Sequence, residues 1–271
     1  MTLPIFTASD DPGPSFAELL RRVRPVETLP PGGVALDISH ATTVVAVRYA
    51  DGVLMAGDRR ATSGNLISHR TMEKVFPADR HSGVAIAGAA GPAMEMVKLF
   101  QLQLEHYEKV EGVQLSLEGK ANQLATMVRG HLPAAMQGFA VVPLFAGFDL
   151  RRGQGRLFQY DVTGGRYEEA DHASTGSGSL HAGTVVKLGF RDGMAEEEVV
   201  DLALHALWQA ADADSATGGP DLIRGIFPVV ATITREGFTR VDDAEVRSRF
   251  EALLGRLTAQ QTGGTETGLA T

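Results

Sequence analysis

Two stretches with a 3.6-residue apolar period stand back to back between blocks of alternating apolar residues, and this order limits the fold more than any other feature of the chain. Residues 92–110 place Met96, Val97, Phe100, Leu104 and Tyr107 on one face, and residues 117–137 do the same with Leu117, Leu124, Met127, Val128 and Leu132. That spacing predicts two helices in succession. Upstream, Val45, Val47 and Tyr49 alternate with Val44, Ala46 and Arg48. After Ala50-Asp51-Gly52 the chain returns as Val53 to Ala56, the pattern of a β-hairpin. Residues 83–88 read as a further short strand. Downstream, Val141 to Phe148 and Arg156 to Val162 read as strands joined by a turn over residues 151–155. A second helix pair follows at 179–189 and 196–211, with Val199, Leu202, Ala203, Ala206 and Ala210 as the apolar stripe of the latter. Phe227 to Thr234 is a strand, and Asp242 to Leu257 a closing helix. Single strands alternating with single helices would give a parallel sheet. Paired helices between hairpins predict instead an α+β fold of two sheets with helix pairs stacked outside.

The ends differ from this middle. Residues 1–41 read as a leader: Ser15 can cap a short helix from Phe16 to Val23, and Pro25, Pro30, Pro31, Gly32 and Gly33 then break regular structure. Asp10, Asp11, Pro12 and Pro14 fall where a secretory signal needs a continuous apolar run. The residues from Thr258 to Thr271 are rich in Thr, Gly and Gln and read as a flexible tail. The 271 residues, 44% of them hydrophobic, suit one domain of ordinary core size with such tails. A net charge of −8 without a basic block argues against nucleic-acid binding. The apolar runs are too short to span a bilayer. The chain has no cysteine, which excludes disulfides, thiolate metal sites and a cysteine nucleophile, and fits a reducing, cytoplasmic setting.

Each motif has a plain reading of its own. Thr42-Thr43 can simply begin a strand, since threonine is a β-former. It can also mark a nucleophile: a threonine hydroxyl needs a base, and cutting the chain before it frees an α-amine to serve. Asp58-Arg59-Arg60 is a charge cluster at a strand end, and Lys74 follows a polar stretch. Thr175-Gly176-Ser177-Gly178-Ser179 has neither dinucleotide-binding spacing nor the Gly-x-Ser-x-Gly order of a nucleophile elbow, and reads alone as a strand-to-helix turn. Asp212 to Pro220 lacks the later bidentate Glu of a calcium loop and reads as a helix-ending loop. The eight histidines are scattered with no His-x-x-x-His pair, so no metal site is expected.

Taken in order, however, these pieces resemble a proteasome β-subunit. The resemblance runs through Thr42-Thr43-Val44-Val45-Ala46-Val47, Gly52 to Thr62, Lys74-Val75-Phe76, Ala87-Gly88-Ala89-Ala90, Gly176 to Ser179 and Asp214 to Gly219. Glu105 to Lys109 and Ser215 to Asp221 are similar to the actinobacterial type. The match spans roughly residues 42–250. It implies an N-terminal nucleophile hydrolase with a four-layer αββα sandwich over 42–257, made as a precursor and cut between Ala41 and Thr42. It implies a threonine endopeptidase in which Thr42 supplies the nucleophilic hydroxyl and the basic amine. Lys74 would remain charged beside Thr42, Asp58 would hold Lys74, and the Gly88 N–H would bind the oxyanion. Ser177, Asp214 and Thr217 would hydrogen-bond the terminal amine and a nearby water; the family often has Ser at the Thr217 position. Ala61, Thr62, Met72, Phe76, Ile86, Ala90 and Met94 match the pocket for the residue before the cut, which implies cleavage after hydrophobic residues.

The same resemblance implies partners: α-subunits and other β-subunits in stacked seven-membered rings, a regulatory ATPase ring, and unfolded or modifier-tagged protein substrates. It implies no cofactor, metal, nucleic acid or membrane. One departure stands out. The family usually has Gly before the nucleophile, and this chain has Ala41. Glycine enters the tight turn needed for self-cleavage most easily, so slower processing is expected; an unprocessed chain would be inert. The HslV-type peptidase, with a similar start, is the nearest alternative, but that family is shorter and has no counterpart to Ser215 to Pro220. A catalytically silent ring subunit would usually lack Thr42 or Lys74. A serine hydrolase using Ser177 or Ser179 lacks a matched His–acid pair.

Overall fold

The structure, a computed structural model, describes residues 42–263. The leader helix expected at Phe16 to Val23, Ala41, and the last eight residues of the expected tail lie outside them. Twelve strands and six helices follow in the described chain. One antiparallel sheet joins β1 (Thr43–Tyr49), β2 (Gly52–Gly57), β10 (His172–Gly176), β11 (Val229–Ile233) and β12 (Phe238–Arg240) in the order β10-β1-β2-β11-β12. The other joins β5 (Val75–Asp79), β6 (Ser82–Gly88), β7 (Val141–Asp149), β8 (Gln154–Tyr160) and β9 (Arg166–Glu169) in chain order. A small hairpin, β3 (Ala61–Ser63) and β4 (Leu66–His69), stands apart from both.

The alternation in β1 explains the layering. Val44 and Ala46 join Val75, Ala85, Leu144, Ala146 and Leu157 in a core between the sheets. Val45, Val47 and Tyr49 face the opposite way. There they meet α4 (Ser179–Gly189), α5 (Glu196–Ala213) and α6 (Asp243–Gly263), through Ala182, Val186, Val199, Ala203, Ala206, Val246 and Phe250. The second sheet turns Val84, Ile86, Phe145 and Phe158 outward onto α1 (Ala90–Glu111) and α2 (Leu117–Gly130). The central strands β1, β2, β6, β7 and β11 are covered on both faces and read as mainly apolar runs. The layers are helix, sheet, sheet, helix: the expected α+β, four-layer αββα sandwich.

Two helix boundaries and six short strands depart from expectation. The helix expected over 117–137 ends at Gly130, and α3 (Leu132–Ala135) starts afresh. Pro133 has no N–H to continue the ladder and its ring crowds the preceding turn. The closing helix runs to Gly263, so residues 258–263, expected in the flexible tail, are helical. Short strands β3, β4, β5, β9, β10 and β12 were not expected. Among the described residues no helix is long and apolar enough to cross a membrane.

The β10–α4 junction sets up the site. Gly176 pairs with Thr43 across the β1–β10 ladder and has φ +105°. A Cβ there would lie 1.8 Å from the Thr42 carbonyl oxygen. No L side chain is compatible with both constraints. Gly176→Ala is therefore expected to displace Thr42 and lower peptide hydrolysis by about tenfold to hundredfold, measured on assembled protein; unchanged activity would show that the junction tolerates the shift.

Candidate active site

Thr42 lies at the foot of β1, 3% exposed, with its carbonyl accepting the Ser177 N–H at 2.9 Å. The β1–β2 register pairs Val44 with Gly57, which places the next residue, Asp58, beside Thr43. The Thr43 N–H donates to Asp58 Oδ1 at 2.9 Å, and the Asp58 N–H donates back to the Thr43 carbonyl at 3.2 Å. Lys74 precedes β5, and its Nζ donates to Asp58 Oδ1 at 2.7 Å and to the Arg60 carbonyl at 2.6 Å. Asp58 Oδ2 accepts the Arg60 and Gly218 N–H groups at 2.9 and 2.8 Å. Each carboxylate oxygen thus receives two donors. Both charged side chains are wholly buried. Burial pushes the Lys74 ammonium below the ordinary lysine range, while Asp58 acts to raise it. A buried ion pair survives only when its remaining hydrogen-bonding capacity is met, and the backbone donors do that for Asp58.

A second carboxylate, Asp214, is linked to Thr42 through Ser177. Asp214 caps the end of α5, and its Oδ2 accepts the Ser177 and Thr217 hydroxyls, each at 2.6 Å. Burial would raise the Asp214 pKa, but these donors and the Ala216 N–H outweigh it and hold the carboxyl below the usual range. Thr217, fully buried, also lies 2.5 Å from the Thr43 hydroxyl, which accepts the Gly178 N–H at 3.0 Å.

Gly88 ends β6 with φ +110°, and a Cβ there would lie 2.1 Å from the Ala140 carbonyl oxygen, so the position requires glycine. Two residues earlier, the Ile86 N–H donates to the Lys74 carbonyl at 2.9 Å, which fixes the end of β6 beside Lys74. Ile86 is buried, and half-buried Met72, Phe76 and Met94 pack against the same apolar cluster. The Met72 N–H donates to the Arg59 carbonyl at 3.0 Å, just before Ala61 and Thr62 of β3. Ala90 opens α1 and lies one turn before Met94 on the same helix face.

This geometry stands on a chain with recognisable relatives. Residues 38–223 match the family described as proteasome subunit. The chain is 59% identical over 248 residues to the proteasome subunit beta of Acidimicrobium ferrooxidans, covering 91% of each protein. It is 57% identical over 236 residues to the proteasome subunit beta of Streptomyces griseus subspecies griseus, covering 87% of this chain and 84% of that one. The chain belongs to the proteasome subunit family. Its likeness to β-subunits over most of its length makes it a catalytic proteasome β-type subunit, a peptidase of that family working within a larger proteasome assembly.

Within this proteasome subunit, Asp58 and Lys74 meet beside Thr43, one residue from Thr42, and Ser177, Asp214 and Thr217 form one hydrogen-bonded group. Of the seven residues expected to line a pocket, Met72, Phe76, Ile86 and Met94 share one apolar cluster. Ala61 and Thr62 lie on β3, two and three residues after the Arg59 carbonyl that Met72 bonds, and Ala90 lies one turn before Met94 on α1. Sequence reasoning missed Thr43 as anything but a strand residue. It also missed the Arg60 carbonyl and the Gly218 N–H as partners of the ion pair. The Gly176-Ser177-Gly178 spacing was the available signal for a close approach: a Cβ on Gly178 would come within 2.6 Å of both the Thr43 and the Thr217 hydroxyl oxygens.

Proposed function

We propose that this chain is made as a precursor, is cut by its own Thr42 between Ala41 and Thr42, and then hydrolyses peptide bonds as a threonine endopeptidase. The observation that carries this reading is the buried Asp58–Lys74 pair, bonded through Asp58 Oδ1 to the Thr43 N–H, one residue from Thr42. In the full-length chain the Thr42 nitrogen is an amide and cannot act as a base. Removing residues 1–41 converts it to an α-amine, whose unperturbed pKa near ~8 suits proton transfer around neutral pH.

In the mature chain the amine takes the hydroxyl proton as Oγ1 attacks the substrate carbonyl carbon. The Lys74 ammonium favours the alkoxide-like oxygen electrostatically and keeps the amine neutral. The Gly88 N–H stabilises the oxyanion. The protonated amine then gives its proton to the leaving nitrogen, and the same amine activates the water that cleaves the resulting ester. Ser177, Asp214 and Thr217 orient the amine and that water. In the precursor the attacked carbonyl is that of Ala41, and its methyl group slows the first cut relative to glycine.

The apolar cluster of Met72, Phe76, Ile86 and Met94 supports a preference for hydrophobic residues before the cut. The subunit works in the cytoplasm within two stacked seven-membered β-rings flanked by α-rings, with unfolded or modifier-tagged chains delivered by an ATPase ring. The test is a panel of fluorogenic peptides carrying Leu, Phe, Arg or Glu before the bond, assayed on particles assembled with the α-subunit of the same genome. Leu and Phe are expected to exceed Arg and Glu in kcat/KM by about tenfold or more. Equal or faster cleavage after charged residues would overturn the pocket assignment.

A further inference from the structure

Thr43 was expected only to begin a strand, yet its side chain is wholly buried and its hydroxyl sits between two polar partners. The direction of every bond around it follows from chemistry. The Gly178 N–H can only donate, so Thr43 Oγ1 accepts it at 3.0 Å. An ionised carboxylate can only accept, so the single hydroxyl proton of Thr217 goes to Asp214 Oδ2 at 2.6 Å. The 2.5 Å contact between the two threonine hydroxyls therefore has Thr43 as donor and Thr217 as acceptor. The result is a directed chain from the Gly178 N–H through Thr43 and Thr217 to Asp214.

The backbone of Thr43 is tied just as firmly on the other side. Its N–H and carbonyl bond the side-chain oxygen and the N–H of Asp58, which also holds Lys74. Thr43 thus bonds Asp58 directly through its backbone and reaches Asp214 through the Thr217 hydroxyl. It is also covalently joined to Thr42, so its position sets that of Thr42. Arg60 acts electrostatically on Lys74, as Asp214 does across the two centres, and His181 acts on Asp214. Neither Arg60 nor His181 contributes a hydrogen bond to Thr43.

We propose that the Thr43 hydroxyl is a positioning group for hydrolysis, which locks Thr217 toward Asp214 and fixes Thr42 between the Asp214 and Asp58–Lys74 centres. The proposal rests on Thr42 as nucleophile and deepens that reading. Misplacing a reacting group by about 1 Å costs about a hundredfold in rate, so the loss should fall on kcat. The two relevant variants are Thr43→Val, which keeps the branched shape and loses the hydroxyl, and Thr43→Ser, which keeps the hydroxyl.

Both are assembled with the α-subunit, checked for a mature N-terminus by intact mass, and assayed per mature chain. Thr43→Val is expected to lower kcat by about tenfold to hundredfold with KM within about twofold, and Thr43→Ser to recover kcat to within about threefold of the parent. Mature Thr43→Val particles with an unchanged kcat would overturn the proposal. So would equal losses in Val and Ser, which would assign the effect to packing of the methyl group. If Thr43→Val does not assemble, Thr43→Ala, with room for a water at the hydroxyl position, takes its place in the same assay. Failure of both to assemble beside a fully active Thr43→Ser would make the hydroxyl a folding requirement alone and overturn the positioning role. Thr42→Ala run in parallel separates the two readings: activity there sinks the nucleophile and this proposal together, whereas its loss beside an unimpaired Thr43→Val sinks this proposal alone.

Discussion

Thr42→Ala is expected to leave the chain at its full length and to lower peptide hydrolysis by about 10⁴-fold or more, on the scale seen when a hydrolase loses its nucleophile. Two losses coincide in this one substitution. The hydroxyl that would attack substrate is gone, and so is the hydroxyl that would cut the chain before residue 42. The nitrogen then stays in an amide, and no α-amine appears. The fold should survive, because the bond from the Ser177 N–H to the Thr42 carbonyl is made by the backbone and does not involve the side chain. Intact mass and a fluorogenic assay on the same particles read both effects. A processed, active Thr42→Ala particle would require a different nucleophile.

Asp58→Asn is the second large effect, and it acts through stability as well as rate. Each Asp58 oxygen accepts two donors: Lys74 Nζ and the Thr43 N–H on one, the Arg60 and Gly218 N–H groups on the other. An amide has only one oxygen, so either orientation aims an NH₂ group at two donors. Lys74 also loses its countercharge while remaining wholly buried. Removing one partner of a buried pair costs about 3–5 kcal/mol. For a domain of this size that is a fall of about 6–20 °C in Tm. Burial already pushes the Lys74 pKa down, with Asp58 opposing it. Without Asp58 the pKa falls further, the charge near Thr42 is lost for more of the time, and hydrolysis should drop by about 10²–10³-fold. Thermal unfolding and kcat on the assembled variant test this. Wild-type Tm and kcat would mean that the pair carries neither stability nor rate.

How much of this was legible in the sequence depended on which residues carry their own signal. The β1 alternation, the two periods of α1 and α2, and the stripe of α5 are apolar patterns, and burial in the three cores explains each. The strands that were not expected are short, and all but β5, whose Val75 and Ala78 are buried, have little apolar surface to bury. All four residues of β4 are exposed, and β10, with the sequence His-Ala-Ser-Thr-Gly, is a strand because β1 pairs with it. Pairing with a distant partner leaves no local pattern to read. The same holds in the site. Thr42, Asp58 and Lys74 stood out through the resemblance of their surrounding motifs, but the distances among them did not. The Thr43 hydroxyl meets Thr217 across 174 positions of sequence. A threonine opening a strand gives no hint of that contact, and only the folded chain reveals it.

The central claim is that the working enzyme begins at Thr42. It is tested most directly by co-expressing the full-length chain with the α-subunit of the same genome, purifying assembled particles, and measuring the intact mass and N-terminal sequence of this subunit. The account predicts a chain that begins Thr42-Thr43-Val44, formed more slowly than in an Ala41→Gly variant. Assembled particles that hydrolyse peptides while every copy of this chain retains residues 1–41 would contradict it.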